Sequence, residues 1–362
     1  MAALDEPFTV GTLTVPNRIV MAPMTRTASP EGVPGEDAAE YYARRAAHGV
    51  GLIVTEGTYI DRPAAGAYDH VPHFHGERAL AGWARVVSRV HEAGGRIIPQ
   101  LWHTGAARTA TDPPAETPSG IGLDGAPAGR AMTTRDIDAA VAAYAAGAAT
   151  AERLGFDGVE LHGGHGYLID NFLWSVTNRR TDAYGGDPGS RARFAAEVVR
   201  AVRAAVSPGF PVFFRLSQWK LGRYEARTAR TPDELARLLT PLADAGVDVF
   251  HGSTRRYWLP EFEGSGLNLA GWARKLTGKP AVTVGSVGMV QQYGTGDFTS
   301  GFTGPSDATE IEELMARLAR DEFDLVAVGR SLLANPDWAD LALRGELARA
   351  VPYHPSVLRS LL

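Results

Sequence analysis

The sequence contains no cysteine and only three lysines, Lys220, Lys275 and Lys279. The absence of cysteine excludes structural disulfides, a cysteine nucleophile, thiolate zinc sites and iron–sulfur clusters ligated by cysteine. The shortage of lysine leaves few candidates for a Schiff base. Lys220 alone stands near the end of a predicted strand, and we expect it to be a solvated loop residue.

The chain also lacks a strong charge of either sign and a long apolar run. Its formal net charge is −5 at pH 7 over 362 residues, which provides no basic surface for nucleic acid or anionic membranes. No run of about 18 apolar residues occurs, and the N-terminus lacks the pattern of a secretory signal. We therefore expect a cytoplasmic protein that acts on a small molecule without nucleic-acid or membrane partners, and a homo-oligomer is compatible with this.

Eight short apolar segments rich in Val, Ile and Phe recur along the chain, separated by longer segments with helical spacing. Apolar strands that alternate with helices indicate a parallel sheet covered by helices, and eight such units predict an α/β (β/α)8 TIM barrel. The strands are predicted at 18–26, 51–60, 96–103, 157–164, 211–217, 248–253, 280–286 and 324–331. The helices are predicted at 77–93, 134–154, 190–206, 232–245, 305–320 and 337–349.

No Pro- or Ser-rich linker interrupts this pattern, so we expect a single domain over residues 1–362. The segment FTVGTLTV before the first strand predicts a short N-terminal hairpin that closes the bottom of the barrel. Long loops should cover the carboxyl face, where barrel enzymes place their active sites. These loops follow strands 3, 5, 6 and 7, at 104–132, 218–230, 254–266 and 287–304.

Polar residues and glycines stand at the carboxyl ends of the predicted strands. They are Thr25, Arg26, Glu56, Gly57, Gln100, His103, His162, His165, Arg215, His251, Gly285, Ser286, Gly329 and Arg330. The segments VGS and VGRS after strands 7 and 8 predict a phosphate site, because glycine lets backbone N–H groups approach an anion and arginine can bind it. Alternatively, the glycines only relieve crowding, and Arg330 pairs with a surface carboxylate.

The segment LHGGHGY places His162, His165 and Tyr167 close together at the end of strand 4. A metal site is disfavoured, because no nearby strand end offers the further ligands that two histidines would need. Two other interpretations stay open. The histidines can be structural, bound only to loop backbone, or they can polarise a carbonyl oxygen while the phenol supplies a proton.

Several motifs resemble the old yellow enzyme family of FMN-dependent ene-reductases, in order and across nearly the whole chain. They read NRIVMAPMTR, QLWH, LHGGHGYLIDNFLWSVTNRRTDAYGG, FRLS, TVGS and VAVGRSLLANPD. The resemblance implies a barrel that binds FMN non-covalently at its carboxyl face. It also implies NADPH or NADH as reductant and an α,β-unsaturated carbonyl compound as substrate.

The same resemblance assigns residues to the flavin ring. Pro23, Met24 and Thr25 would line the flavin, with the Thr25 hydroxyl bonded to the C4 carbonyl. Gly57 would lie against the isoalloxazine ring, where a side chain would collide. Gln100 would pair with the pyrimidine edge of the ring.

Arg215 would stand beside N1 and O2, where the reduced flavin gathers negative charge. The resemblance assigns the phosphate to the ends of strands 7 and 8, where Gly285, Ser286, Gly329 and Arg330 would hold it.

By resemblance, His162 and His165 bind the carbonyl oxygen of the substrate, and Tyr167 protonates its α-carbon. Trp102 would form a pocket wall, although ordinary packing would equally place a tryptophan there. The same histidines would bind the nicotinamide amide, so one site would serve both substrates in turn with ping-pong kinetics.

The sequence leaves two roles open for the segment after strand 6. Arg255 and its neighbours 256–258 would either select an anionic or aromatic ligand or pack as a lid, and no residue of the tail is assigned to the site.

Three rival functions stay open. One rival is an FMN-dependent pathway enzyme that desaturates or isomerises a dedicated metabolite. The others are a flavin-free phosphate-binding lyase or aldolase and a non-catalytic flavin-binding module.

Overall fold

The computed structural model describes residues 4–290 and 306–361. Eight parallel strands close into a barrel and follow one another around it in chain order. Strands 1 to 8 are Ile19–Met21, Leu52–Tyr59, Ile97–Trp102, Val159–His162, Val212–Leu216, Val249–Ser253, Ala281–Val284 and Leu325–Val328. The predicted TIM barrel is confirmed.

The helices of the described residues lie between the strands, outside the barrel, and after strand 8. They are α1 (Glu36–Ala47), α2 (Glu77–Glu92), α3 (Thr134–Arg153), α4 (Leu168–Leu173), α5 (Pro188–Arg191), α6 (Arg193–Ala205), α7 (Pro232–Ala245), α8 (Leu269–Thr277), α9 (Glu312–Ala319), α10 (Arg330–Ala334) and α11 (Trp338–Arg344). Short 3-10 turns occupy Pro30–Gly32, Gly105–Ala107, Leu347–Arg349 and Pro355–Arg359. Within the described ranges, no helix has the length and apolar character needed to cross a bilayer.

Several element boundaries differ from the predicted ones. Strands 1 and 8 end at Met21 and Val328, earlier than predicted, because the chain leaves the barrel there and α10 begins at Arg330. The helix predicted at 305–320 begins only at Glu312, because the backbone of Ser306 pairs with the chain's tail instead. Residue 305 and most of the predicted loop 287–304 lie outside the described residues.

The bottom of the barrel is closed by an antiparallel hairpin of strands Phe8–Val10 and Leu13–Val15. Leu13 and Val15 are buried and join the apolar cluster that fills the barrel interior, which confirms the predicted hairpin. The inward residues of the strands supply the rest of that cluster, for example Val20, Leu52 and Phe213. The lower half of the barrel is therefore a packed apolar core.

Higher up, the inward positions change from apolar to polar side chains. Residues two apart on a strand point to the same side, so the residue that follows Ile98 on the inner side is Gln100, and the one that follows Phe213 is Arg215. In the same way, His251 follows Val249. Gln100 lies opposite Glu160, and Arg215 lies opposite His251, so the polar side chains of neighbouring strands are adjacent.

The long loop after strand 3 is held by a buried carboxylate, Glu116. Arg62 and Arg130 both bond to Glu116, and the Nε2 atom of His103 lies 3.1 Å from its Oε2 atom. Burial raises the pKa of Glu116, but His103 and Arg62 outweigh this and bring it below the ordinary value. His103, one of the predicted strand-end residues, therefore anchors a loop.

Lys220, in the loop after strand 5, is fully buried, so the expectation of a solvated lysine was wrong. Its Nζ atom lies 2.8 Å from Asp170 Oδ2 at the start of α4, and it donates to Thr228 Oγ1 at 2.6 Å and Gln218 O at 2.9 Å. These bonds replace the lost hydration, and the ion pair joins the loop to α4. Lys220 therefore has a structural role.

Replacing Lys220 with methionine should strongly destabilise the protein, because Asp170 would keep a buried charge without its partner. We expect the free energy of unfolding to fall by about 3–5 kcal/mol, measured by urea denaturation. Lys279→Met, at a half-buried position near the bottom of strand 7, is the matched control and should change it by less than about 0.5 kcal/mol. Equal losses in the two variants would contradict the structural role.

Candidate active site

A cavity of about 1150 Å³, counting the part open to solvent, lies at the carboxyl ends of the strands. The predicted site residues that line it are Pro23, Met24, Thr25, Gln100, Trp102, His162, His165, Tyr167, Arg215, Gly285, Ser286, Gly329 and Arg330. The tertiary structure therefore brings together residues from strands 1, 3, 4, 5, 7 and 8.

Gly57 is the predicted site residue that does not line the cavity. A Cβ atom at this position would lie 2.5 Å from Cε3 of Trp102. The close neighbour that requires glycine here is thus the indole of Trp102. The contact between Gly57 and the flavin ring that the resemblance implies stays a prediction.

Glu56 and Arg26, two other strand-end residues, support the rim from outside the cavity. Glu56 Oε2 accepts the backbone N–H of Arg26 at 2.9 Å, and burial raises the pKa of Glu56 to about 7. The Arg26 guanidinium donates to the carbonyl oxygens of Val357 and Ser360 in the tail. These contacts hold the loop after strand 1 and the tail in place beside the cavity.

Beneath the cavity, a buried carboxylate, Glu160, organises the polar layer of the barrel. Gln100 Nε2 donates to Glu160 Oε1 at 2.7 Å, and His251 Nδ1 lies 2.7 Å from Glu160 Oε2. Burial raises the pKa of Glu160, but His251 and Arg215 more than offset this, so its pKa lies below the ordinary value. The carboxylate accepts one amide N–H of Gln100 and so leaves the amide oxygen available to the cavity.

His162 and His165 are both buried, and their imidazoles lie close to each other. His165 Nδ1 lies 3.4 Å from His162 Nε2, and the ring centroids are 5.0 Å apart. Burial lowers the pKa of both histidines well below the ordinary value, and the positive charge of Arg215 lowers it further. At neutral pH the pair is therefore uncharged and presents N–H donors.

The local backbone explains how two histidines three residues apart reach the same point. His162 ends strand 4, and the chain turns sharply so that His165 takes a φ of 63° and Gly166 a φ of 84°. The turn is held by Ser217 Oγ, which accepts the backbone N–H of His165 at 2.7 Å. Tyr167 follows at the start of α4, with its ring centroid 4.8 Å from that of His162.

The ends of strands 7 and 8 meet where a phosphate site was predicted. Gly285 and Ser286 both have positive φ, 149° and 55°, and Arg330 Nη2 donates to Ser286 Oγ at 3.4 Å. A Cβ atom on Gly285 would lie 2.6 Å from Thr254 Oγ1, so only glycine fits that turn. A guanidinium and a hydroxyl beside exposed backbone are suited to an anion.

Sequence reasoning missed part of the cavity wall. Lining residues that it did not name include Trp219, Ser253, Tyr353 and Leu358. The sequence assigned no tail residue to the site, but Tyr353 and Leu358 line the cavity, and the Arg330 guanidinium lies 5.7 Å from the centroid of the Tyr353 ring. The tail's single tyrosine was the signal available in the sequence.

In the segment after strand 6, different residues take the two roles that the sequence left open. Arg255 lines the cavity, and its guanidinium stacks on the Tyr224 ring at 4.0 Å from the centroid. Tyr257 is buried and packs edge-on against Trp258, in the apolar core. Arg255 thus lines the cavity, whereas Tyr257 and Trp258 serve packing.

Metal binding finds no support at the histidine pair. Across the residues that the structure describes, no three His, Asp or Glu side chains are grouped in a way that could hold a metal ion. The donors around His162 and His165 are Ser253, Tyr167 and Arg215, and a guanidinium repels a cation. The arrangement is instead suited to an electron-rich oxygen.

Comparison with known proteins identifies the class. The model of the NADH:flavin oxidoreductase / NADH oxidase family matches residues 3–346. The flavin oxidoreductase hxnT of Emericella nidulans is 34% identical over 360 residues, covering 92% of this chain and 88% of its own.

Solved structures agree with this match. Morphinone reductase in complex with tetrahydroNAD superposes with a TM-score of 0.80 at 31% identity, over 98% of this chain and 94% of its own. The old yellow enzyme homologue from Zymomonas mobilis superposes with a TM-score of 0.79 at 27% identity, over 99% and 96%. The chain belongs to this family, the old yellow enzyme family, and is an NAD(P)H-dependent flavin oxidoreductase with FMN as its cofactor.

The residues present fit FMN. The cofactor has a polar pyrimidine edge, a broad ring and a phosphate, and the cavity offers a matching group for each. Gln100 presents an amide with its oxygen free, Arg215 presents a buried guanidinium, and Arg330 with Ser286 stands at the far end. The flavin-free lyase considered from the sequence is thereby set aside.

The neutral histidines predict how stability depends on pH. Unfolded histidine takes up a proton below about pH 6.5, whereas His162 and His165 do not when folded, so the unfolded state binds more protons there. The free energy of unfolding should therefore fall as the pH drops from 6.5 to 5, by up to about 1.4 kcal/mol per pH unit and histidine. Urea denaturation across this window checks it.

The variant His162→Asn should reduce the slope of the unfolding free energy against pH by the contribution of one histidine. His354→Asn, at an exposed position in the tail, is the control and should leave the pH dependence as in the wild type. An unchanged slope in His162→Asn would show that this histidine is not held neutral.

Proposed function

We propose that this enzyme reduces the activated C=C bond of α,β-unsaturated carbonyl compounds. The observation that carries the proposal is the convergence of His165 Nδ1 and His162 Nε2, 3.4 Å apart, beside the Tyr167 phenol. Morphinone reductase and the Zymomonas old yellow enzyme homologue, both similar to this chain throughout, support the same chemistry. Bound FMN supplies hydride from its N5 atom after reduction by NADPH or NADH.

His162 and His165 bind the substrate's carbonyl oxygen. Each neutral imidazole has one N–H to donate, and two donors stabilise the negative charge that develops on this oxygen as the β-carbon receives hydride. Because both rings are buried and fixed, the donors need no rearrangement when that charge appears. The proposed role of the pair is to polarise the substrate while remaining neutral.

Tyr167 donates the proton to the α-carbon. Its ring lies edge-on to Trp102 and to His162, with both centroids 4.8 Å away, which fixes the phenol at the substrate-binding end of the cavity. Trp102 forms the adjoining wall. A proton from the side opposite the hydride would give net trans addition of hydrogen.

The flavin-binding roles follow from position in the cavity. Thr25 would bond to the flavin C4 carbonyl, with Pro23 and Met24 against the ring, while Gln100 and Arg215 would take the pyrimidine edge. Arg215 favours negative charge at that edge. The phosphate would bind at the ends of strands 7 and 8, to Gly285, Ser286, Gly329 and Arg330.

The nicotinamide and the enone would use the same histidines in turn, which predicts ping-pong kinetics. An FMN-dependent enzyme that desaturates or isomerises one dedicated metabolite remains the alternative, since these residues would serve that chemistry too. The non-catalytic module is disfavoured by the placement of Tyr167 beside the histidine pair. The cytoplasmic location, the single domain and a homo-oligomer stay predictions.

Anaerobic absorption spectroscopy of the FMN-loaded protein tests the proposal. NADPH should bleach the flavin absorbance, and a simple cyclic enone should then restore it, because both half-reactions use this cavity. Initial rates at several fixed enone concentrations should give parallel double-reciprocal lines. Bleaching without recovery for any enone would contradict the proposed reaction, and intersecting lines would contradict ping-pong turnover.

Replacing Tyr167 with phenylalanine separates the two half-reactions. Flavin reduction by NADPH should be nearly unchanged, whereas reoxidation by the enone should slow on the order of 10²-fold, because only this step needs the proton. Stopped-flow absorbance measures each rate. Tyr68→Phe is the control, since Tyr68 stacks on Trp102 outside the cavity lining; equal slowing of both steps in Tyr167→Phe would contradict the role.

A further inference from the structure

His165 is the histidine whose second nitrogen has a partner. Its Nε2 atom lies 2.8 Å from Ser253 Oγ, at the end of strand 6. By contrast, the second nitrogen of His162, Nδ1, is buried and has no hydrogen-bond partner among the residues that the structure describes. The serine hydroxyl can either donate to an imidazole or accept from one, so its direction decides where His165 carries its proton.

A third group, the guanidinium of Arg215, determines which way the hydroxyl hydrogen of Ser253 points. Arg215 Nη2 lies 3.5 Å from the same Ser253 Oγ. A guanidinium has only donors and a permanent positive charge, so it attracts the oxygen lone pairs and turns the hydroxyl hydrogen away from itself. The hydroxyl hydrogen then points at His165 Nε2, which must be the acceptor.

We propose that Ser253 is a positioning residue that keeps His165 in the Nδ1–H tautomer, which the carbonyl-binding role of the pair requires. The effect on substrate binding rests on the proposed function, whereas the tautomer of His165 is a property of the chain alone. With Nε2 as acceptor, the single proton of the neutral ring must be on Nδ1. This is the atom 3.4 Å from His162 Nε2.

The neighbouring contacts hold the ring in the orientation that this requires. Trp219 stacks on His165 with centroids 4.3 Å apart, and its Nε1 donates to the backbone oxygen of Ser253 at 3.2 Å. Ser217 accepts the backbone N–H of His165 at 2.7 Å. A 180° flip of the ring, which would put Cε1 in the place of Nε2 and Cδ2 in the place of Nδ1, would therefore break the Ser253 contact.

The consequence for binding is a pair of N–H groups aimed at one point. A buried bare nitrogen is less costly to leave unpaired than a buried N–H, so His162 favours its proton on Nε2. Two N–H groups cannot bond to each other, and at 3.4 Å the two nitrogens are too close for an atom to lie between them. A single acceptor oxygen in the cavity, which both histidines line, can instead approach both N–H groups from one side. Ser253 thereby favours ligands that present an acceptor oxygen over groups that can only donate.

Nitrogen-15 NMR of the histidine side chains in the FMN-loaded protein, without substrate, tests the proposal. Wild-type His165, assigned through a His165→Gln variant, should show a protonated Nδ1 and an unprotonated Nε2. Ser253→Ala should shift His165 towards the Nε2–H form, and Ser253→Thr should restore the wild-type spectrum. Ser217→Ala removes the bonds of Ser217 Oγ to the His165 backbone N–H and to the Trp219 backbone oxygen, but it leaves Ser253 and Arg215 in place and should keep Nδ1 protonated.

Kinetics provide the second measurement. With one donor lost, Ser253→Ala should lower kcat/KM for a cyclic enone by about 10-fold or more, with most of the loss in kcat, because this donor stabilises charge that develops during hydride transfer, and Ser253→Thr should reverse it. An Nε2–H tautomer in the wild type, or an unchanged tautomer in Ser253→Ala, would overturn the proposal. A wild type with the stated tautomer but no enone turnover would overturn the proposed function and support the Ser253 assignment.

Discussion

The upper part of this barrel depends on one buried carboxylate. Glu160 points inward on strand 4 at the height where the interior turns from apolar to polar, and an unpaired charge there would be strongly destabilising. Gln100 and His251 satisfy its oxygens from two other strands, and Arg215 supplies the compensating charge. This polar layer is stable because the charges and hydrogen-bonding groups of its side chains match one another, and the cavity lies directly above it.

The orientation and protonation of the cavity side chains follow from that layer. Glu160 orients the amide of Gln100, and the charge of Arg215 acts on the two groups above it. It helps keep His165 neutral, and it directs the hydroxyl of Ser253. A single guanidinium thus connects the proposed cofactor-binding edge with the histidines proposed to bind substrate.

The loops around the cavity are fixed by buried ions of their own. Glu116 holds the loop after strand 3, the Lys220–Asp170 pair joins the loop after strand 5 to α4, and Arg26 bonds to the tail. Loops are usually the mobile part of a barrel, and buried charge pairs with several hydrogen bonds restrict them. The His162–His165 turn lies between the first two anchors, which keeps its strained backbone in place.

The sequence by itself determined the fold, the family and most of the cavity lining, because the strand period and the family's contiguous motifs are local signals. Only the tertiary structure decided the roles of Gly57, Lys220 and Tyr353. A glycine's crowding partner, a lysine's burial and a tail's path depend on residues distant in the chain. Ser253 belongs to the same group, since its role arises from the way strands 4, 5 and 6 meet.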